Sequence, residues 1–284
     1  MKQWKKKMEE SFFKSLMVVV TCFILFSFLF IIYIIFKKGF SALNWEMISQ
    51  APKGGYYFGK GGGMLNAIAG SFYLATGAVL LAIIAGLPAA LFMNVHLVHR
   101  KRLVNAIRFL LDSLWGVPSI VYGAFGFTVM VFFHLRASLL AGIITVALVI
   151  VPIIIRAMDE ALRTIPQGLL ETAHALGSTK NEIAFKIFFR QAMPGFMTAV
   201  LLAFGRGIGD AAAVLFTTGY TDQIPVNLND QAATLPLAIF FQLSSPIEAV
   251  RERAYAAAVL LTIIILLISM GARLLSKKLN RNII

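Results

Sequence analysis

The chain has 284 residues, 59% of them hydrophobic, and its 26 Lys and Arg against 13 Asp and Glu leave a formal net charge of +13. A mean hydropathy of +0.81 is too high for an ordinary soluble domain, so the excess charge reads as the topology signal of a membrane protein and not as a nucleic-acid surface. Cys22 stands alone and no Cys/His cluster has metal-ligand spacing, so neither an intramolecular disulfide nor a metal centre is expected.

In chain order, residues 1–15 form a basic head carrying Lys2, Lys5, Lys6, Lys7 and Lys14. The apolar run 16–36 is too long for a signal peptide and lacks its small-residue cleavage site. It is expected to be a retained first transmembrane helix, with Cys22 as a small packing residue. Residues 37–63 are a polar, glycine-rich loop. Within it, 54–61 (GGYYFGKG) approaches a phosphate-binding loop. Gly61 stands where the Mg²⁺-holding hydroxyl belongs, and no buried strand precedes it, so a nucleotide site is rejected.

A second span covers 65–91, with Gly86 and Pro88 offering a bend. Residues 96–108 return Arg100, Lys101, Arg102 and Arg108. A third span, about 109–133, is broken at Gly116-Val117-Pro118, which is tolerated at membrane depth only where protein or water satisfies the freed backbone. Spans four, five and six are expected at 137–155, 194–216 and 254–275. Between the last two, residues 235–243 are apolar but too short to cross, so they read as interfacial or re-entrant. With the N-terminus inside, 18 of the 26 Lys and Arg fall on the cytoplasmic side and 7 outside, while Arg206 lies within a span. The expectation is an all-α protein of the cytoplasmic (inner) membrane with six transmembrane helices, lipid around it and both termini cytoplasmic.

Residues 164–194 are the one long polar interruption with helical order of its own. Pro166 suits a first helical turn. Leu169, Leu170, Ala173 and Leu176 make one apolar stripe on a short helix. Gly177 follows where a left-handed C-cap is wanted, and Thr179 with Glu182 has the spacing of a capping box opening a second helix. That helix carries Ile183, Phe185, Ile187 and Phe188 onward. Helix, glycine elbow, helix: such an arrangement needs a groove for its apolar stripe, in this chain or in a partner.

Charges expected inside the membrane are few, and each admits two readings. Arg206 and Asp210, four apart on the fifth span, either neutralise each other at a helix interface or hold a guanidinium fork toward an anion. Gly205 and Gly209 form a small-xxx-small strip suited to close helix packing. Arg156, at an inner helix end, is either an interfacial anchor or a second pathway residue. Asp112 has the spacing to pair with Arg108.

The elbow resembles the cytoplasmic loop of binding-protein-dependent ABC importer permeases, whose pattern is Glu-Ala-Ala, three residues, Gly, nine residues, Ile, one residue, Leu-Pro. Here Glu171-Thr172-Ala173, Gly177 and Ile187 stand at those spacings, and Phe189-Arg190 replaces Leu-Pro. Residues 116–123 (GVPSIVYG) and 205–210 (GRGIGD) are similar to phosphate-importer permeases, as are Ala233-Thr234-Leu235-Pro236 and Ser245-Pro246 to those of the PstA type. That family usually has Glu where Asp210 stands.

The resemblance implies a type I ABC importer permease fold over 64–284, with a coupling loop at 159–190. Leu169, Leu170, Glu171, Ala173, Leu176 and Gly177 would then dock in a groove of an ATPase. It also implies alternating access, Arg206, Asp210 and Arg156 along a phosphate pathway, and no cofactor in the chain itself, ATP and Mg²⁺ being bound by the partner. The implied partners are a second, PstC-type permease, two PstB-type ATPase subunits and an extracytoplasmic PstS-type phosphate-binding protein. The rival readings are a permease for another oxyanion or small solute, the PstC-type half, and an ATP-independent homomeric channel.

Overall fold

The computed structural model describes the backbone of residues 2–53 and 61–280. The glycine-rich stretch that approaches a phosphate-binding loop lies, apart from Gly61, outside the described residues. In chain order the helices are α1 (Lys2–Gly39), α2 (Trp45–Ser49), α3 (Leu65–Val95), α4 (Lys101–Trp115), α5 (Ser119–Phe132), α6 (Leu139–Arg163), α7 (Gln167–Ala175), α8 (Lys180–Glu182), α9 (Phe189–Ile208), α10 (Leu235–Leu243) and α11 (Glu248–Asn280). Only one isolated β-bridge, Pro52 to Gly62, occurs among the described residues.

Five helical stretches are long and apolar enough to cross a membrane: Lys6–Gly39, Leu65–Val95, Leu139–Arg163, Lys180–Ile208 and Glu248–Leu274. A sixth crossing exists if α4 and α5 count as one span, but they meet at 91°. The expected third span is therefore not a straight crossing. Pro118 disfavours helix at the residue before it and itself takes an extended ψ of 136°. The Tyr122 hydroxyl donates to the Leu114 carbonyl, 3.0 Å, across the bend. α4 begins at Lys101, inside the expected loop, and exposes Phe109, Leu110, Leu114 and Trp115 while burying Val104 and Leu111. At 14 residues, α5 rises about 21 Å, short of a hydrocarbon core of about 30 Å.

The core is the three-helix contact of α3, α6 and α9. Leu74, Val146, Ile150, Ile154, Met158 and Leu162 are shut off from the surface there. Lipid is as apolar as these side chains, so their association rests on close packing. A Cβ on Gly86 would come within 2.7 Å of Ile154 Cγ2, so α3 and α6 can approach as they do only because that position is glycine. Phe196, Ala199, Ala203 and Gly207 present the matching face of α9.

α6 leads into the elbow, and at its other end the connections are sewn together by backbone. The amides of Ser138, Leu139 and Leu140 donate to the carbonyls of Thr217, Asp230 and Leu228 at 2.9, 2.7 and 2.8 Å. The Asn66 side-chain amide reaches Thr221 O, 2.7 Å, and Ser71 Oγ receives the Leu235 amide, 2.8 Å. α10 starts on a Thr234 cap and buries Leu235, Leu237 and Ala238; nine residues rise about 14 Å, so it does not cross. α1 packs against α11 but leaves most of its apolar length uncovered. Cys22 is exposed on it, not packed.

The fifth span also departs from expectation. Helix runs unbroken from Lys180 through a π turn, Ile183–Phe188, and past Pro194 to Ile208. The π turn adds one residue, so Ile183 and Phe188, five apart, both face the core. Burial then continues at Ala192, Phe196, Ala199 and Ala203 with ordinary spacing. Where the related pattern has Leu-Pro, Phe189-Arg190 lets the helix continue. At its far end the span stops before 216. Gly209 caps it, and residues 211–218 are bends and turns that bury Ala213, Val214, Thr217 and Thr218.

Candidate functional site

The elbow is built as its local sequence dictates. α7 ends at Ala175, and Gly177 takes φ +79° with no atom within 4 Å of where its Cβ would lie. Glycine is there for the backbone conformation, not for space. The Leu176 amide donates to Thr172 O and the Ser178 amide to Ala173 O, each 3.0 Å, the second being the six-to-one bond of a Schellman closure. Thr179 Oγ1 accepts from the Glu182 amide, 3.3 Å, while Glu182 Oε2 accepts from the Thr179 amide, 3.0 Å, completing the capping box. Lys186 Nζ holds Glu182 Oε1 at 3.0 Å.

The faces of this elbow differ. Ala173, Ile183 and Phe188 are buried in the chain's own core, with Leu170 and Ile187 packed against it. Leu176 is 80% exposed, Phe185 60% and Leu169 40%. Glu171 and Gly177 are exposed too. Of the six residues expected to couple, Ala173 anchors the elbow inward and Leu170 is half-buried. Leu169, Glu171, Leu176 and Gly177 face outward, joined by Phe185. Leu169, Leu176 and Phe185 thus leave large apolar side chains uncovered on a capped turn.

Behind the elbow lies a buried charge network centred on Asp159, which sequence reasoning did not single out. Its side chain is fully buried. Arg108 grips it bidentately, Nε to Oδ2 and Nη2 to Oδ1, both 2.8 Å. Asn94 Nδ2 donates to Oδ1, 2.8 Å, and Arg156 Nη1 to Oδ2, 2.9 Å. Arg156 also donates through Nε to Asp112 Oδ1, 2.6 Å, and its Nη2 lies 3.4 Å from Glu160 Oε1. All three guanidinium nitrogens of Arg156 thus face carboxylates, and Asp112 pairs with Arg156, not with Arg108. Arg156 is 18% exposed and does not present a free fork to a passing anion. The network ties α3, α4 and α6 together one turn before the elbow. Asp159 could have been found as a charge on the buried face of α6, between Ile155 and Leu162.

Arg206 and Asp210 occupy a different environment. Arg206 is in the last turn of α9, whereas Asp210 lies beyond the helix end. They are not on one helical face as expected, yet Arg206 Nη2 comes within 3.3 Å of Asp210 Oδ2. That approach lacks hydrogen-bond geometry, since Oδ2 is buried without a donor, while Oδ1 accepts from the Ala213 amide, 2.9 Å. Asp210 is 2% exposed and Arg206 48%. The carboxylate therefore caps the buried turn and lends the arginine charge balance from one side. The arginine side chain remains 48% exposed. Gly205, on the same exposed face as Leu202, meets nothing within 4 Å; a Cβ on Gly209 would meet only Gly205 O, 3.4 Å, and Ile265 Cδ1, 3.9 Å.

Among the described residues no group of His, Cys, Asp and Glu has the arrangement of a metal site.

Residues 78–283 match the family described as binding-protein-dependent transport system inner membrane component. Similar relatives include the phosphate transport system permease protein PstA of Pasteurella multocida, 31% identical over 95% of both chains. The PstA proteins of Haemophilus influenzae (32%, covering 88% of this chain and 87% of that one) and Yersinia pestis (35%, covering 77% and 74%) are similar as well. In fold, the chain is similar to an inward-facing form of the MetNI methionine ABC transporter, TM-score 0.64 at 19% identity, covering 76% of this chain and 95% of that one. An amino acid ABC transporter structure gives a TM-score of 0.55 at 16% identity, covering 75% and 92%. A helical membrane bundle with a capped elbow, matched across most of its length, is thus placed: the chain belongs to the binding-protein-dependent ABC importer inner membrane components, with the type I permease fold.

Proposed function

We propose that the chain is the permease subunit of an ATP-driven importer that moves inorganic phosphate across the cytoplasmic membrane by alternating access. It is a transport subunit and not an enzyme. The observation that carries the reading is the elbow: a doubly capped turn anchored by Ala173, Ile183 and Phe188 and presenting Leu169, Leu176 and Phe185 outward. A chain whose work is driven by a separate ATPase needs such a surface. The substrate follows from the PstA relatives, which match at 31–35% identity over most of the chain.

In this reading residues 64–284 form the permease domain, with the coupling loop at 159–190. Two ATPase subunits of the PstB type bind ATP and Mg²⁺ and grip the elbow and its counterpart on a PstC-type permease. A PstS-type protein delivers phosphate from outside. Both termini and the elbow are cytoplasmic, supported by the 18 to 7 distribution of Lys and Arg. Asp159 and its arginines transmit elbow motion to α3 and α4 as one body, and Arg156 serves that network. Arg206, half-exposed with Asp210 behind it, contributes a permanent positive charge and directed donors to the anion path. The open faces of Gly205 and Gly209 suit the approach of a second permease helix.

Isotopic phosphate uptake by the assembled transporter tests the pathway assignment. Arg206→Gln is expected to lower uptake at least tenfold while ATPase subunits still bind. Uptake equal to wild type would remove Arg206 from the path.

A further inference from the structure

α9 stops inside the bundle, and the backbone that follows is short of partners. Near the helix end Gly207 packs beside Ala75 of α3 and Val146 of α6. At 1.5 Å per residue those positions lie roughly 10–15 Å in from the starts of the two helices. The end of α9 has no capping bond from Gly209. Among the described residues the amides of Gly209, Asp210, Ala211 and Ala212 donate to nothing, and the next one, of Ala213, reaches Asp210 Oδ1 at 2.9 Å. Consecutive orphan donors at membrane depth are tolerated only where water or a ligand reaches them. Gly209 is exposed and Ala211 and Ala212 are half-buried, so the segment is open to one.

Two charged groups stand at the same segment. Arg206 is half-exposed, a guanidinium that lipid would penalise. Asp210 Oδ2 is the converse: buried, without a donor, and covered by Arg206 Nη2 at 3.3 Å outside hydrogen-bond geometry. Amides and a guanidinium only donate, and they match the oxygens of an anion. Oδ2 only accepts, and it repels any anion that brings no hydroxyl. We propose that residues 206–212 bind a protonated tetrahedral oxyanion. Arg206 and the free amides of Gly209, Ala211 and Ala212 hold its bare oxygens, and Asp210 Oδ2 accepts its hydroxyl. This rests on the phosphate reading above and names the groups that select the substrate within the membrane. Hydrogen phosphate carries both kinds of oxygen at neutral pH. Sulfate has no hydroxyl and would set a bare oxygen against the buried carboxylate. On binding, the ligand hydroxyl replaces the poor Arg206 contact and the guanidinium turns onto the anion. The two oxygens of Asp210 thus divide the work: Oδ1 holds the turn through Ala213, and Oδ2 recognises the ligand's proton.

The test is the phosphorus NMR line width of inorganic phosphate over the assembled transporter in nanodiscs, with the ATPase sites filled by ADP and Mg²⁺. Wild type is expected to broaden the signal, and arsenate, which also carries a hydroxyl, should relieve the broadening whereas sulfate should not. Ala211→Pro deletes one free N–H at a position after a capping residue, where proline is accommodated. It should weaken phosphate binding roughly ten- to hundredfold, the value of a hydrogen bond to a charged group. Asp210→Asn keeps an oxygen for the Ala213 amide but offers an N–H to the ligand, so sulfate should now compete. No broadening by wild type, competition by sulfate in wild type, or sulfate still excluded by Asp210→Asn would each overturn the proposal. So would unchanged affinity in Ala211→Pro. If Arg206→Gln loses phosphate while Ala211→Pro with a wild-type thermal midpoint does not, the amide site falls and Arg206 stays in the pathway. Binding and uptake both unchanged in Arg206→Gln would instead remove the pathway assignment itself.

Discussion

Leu176→Ser separates docking from folding. Leu176 is 80% exposed, and its amide bond to Thr172 O does not depend on the side chain. Removing the isobutyl group costs the chain's own core nothing, and exposed substitutions of this kind stay within about 0.5 kcal/mol in stability. In a complex that covers the elbow, the side chain would go from mostly exposed to buried. Full burial of a leucine is worth about 1.5–3 kcal/mol, so four-fifths of it is about 1.2–2.4 kcal/mol, or roughly eightfold to sixtyfold in affinity. The assay is titration of the ATPase subunit onto the permease pair in nanodiscs, beside thermal denaturation of the permease alone. Weaker binding with an unshifted denaturation midpoint is expected. Unchanged affinity, or a loss of permease stability as large as the loss of affinity, would refute the outward role of this residue.

Three other outcomes follow from the geometry. Gly177→Ala places a side chain at φ +79° with open space around it, so only backbone strain, about 1–2 kcal/mol, is added. Limited proteolysis at the elbow should accelerate while helix content by circular dichroism stays constant. Asp159→Asn leaves Arg108 and Arg156 without their shared charge. Breaking a buried pair costs about 3–5 kcal/mol, and with the arginines 21% and 18% exposed a value near the low end, about 3 kcal/mol, is expected as a fall in thermal midpoint. Asp230 gives a pH dependence: the Asn227 and Val226 amides, 2.8 and 3.0 Å from Oδ2, hold its carboxyl below the ordinary 3.8. A depressed folded pKa stabilises above the unfolded value and is lost as pH falls through the folded one. Wild type should therefore exceed Asp230→Asn in thermal stability at neutral pH, and the difference should shrink as the pH falls below 3.8 and vanish once it is below the depressed folded pKa.

What could be read in the sequence was local. Gly177 and the Thr179–Glu182 box are decided within four residues by backbone conformation and capping, and both are found where expected. The long apolar runs gave the bundle because twenty apolar residues have few other stable states. The Asp159 network was hidden because its partners come from positions 51 and 65 residues away as well as from the next helical turn. Which faces of α3, α4 and α6 meet is a packing outcome. Asp112 illustrates the limit: Arg108 has the right spacing along α4, yet each goes to a different residue on α6. The π turn at Ile183–Phe188 was missed because both faces of that segment carry large apolar side chains. Arg206 and Asp210 did come together, but around the end of α9 and not along it, since Gly207 and Gly209 weaken helix just where four-residue spacing assumed it.

On the proposed function, this chain is expected to move its substrate only when driven through the elbow. Isotopic phosphate flux into proteoliposomes, with the chain reconstituted alone and then with its second permease, ATPase subunits and binding protein, tests that directly. No flux from the chain alone, and ATP-dependent flux from the assembly, is expected. Phosphate flux by the chain alone, without ATP, would contradict it and favour a homomeric channel.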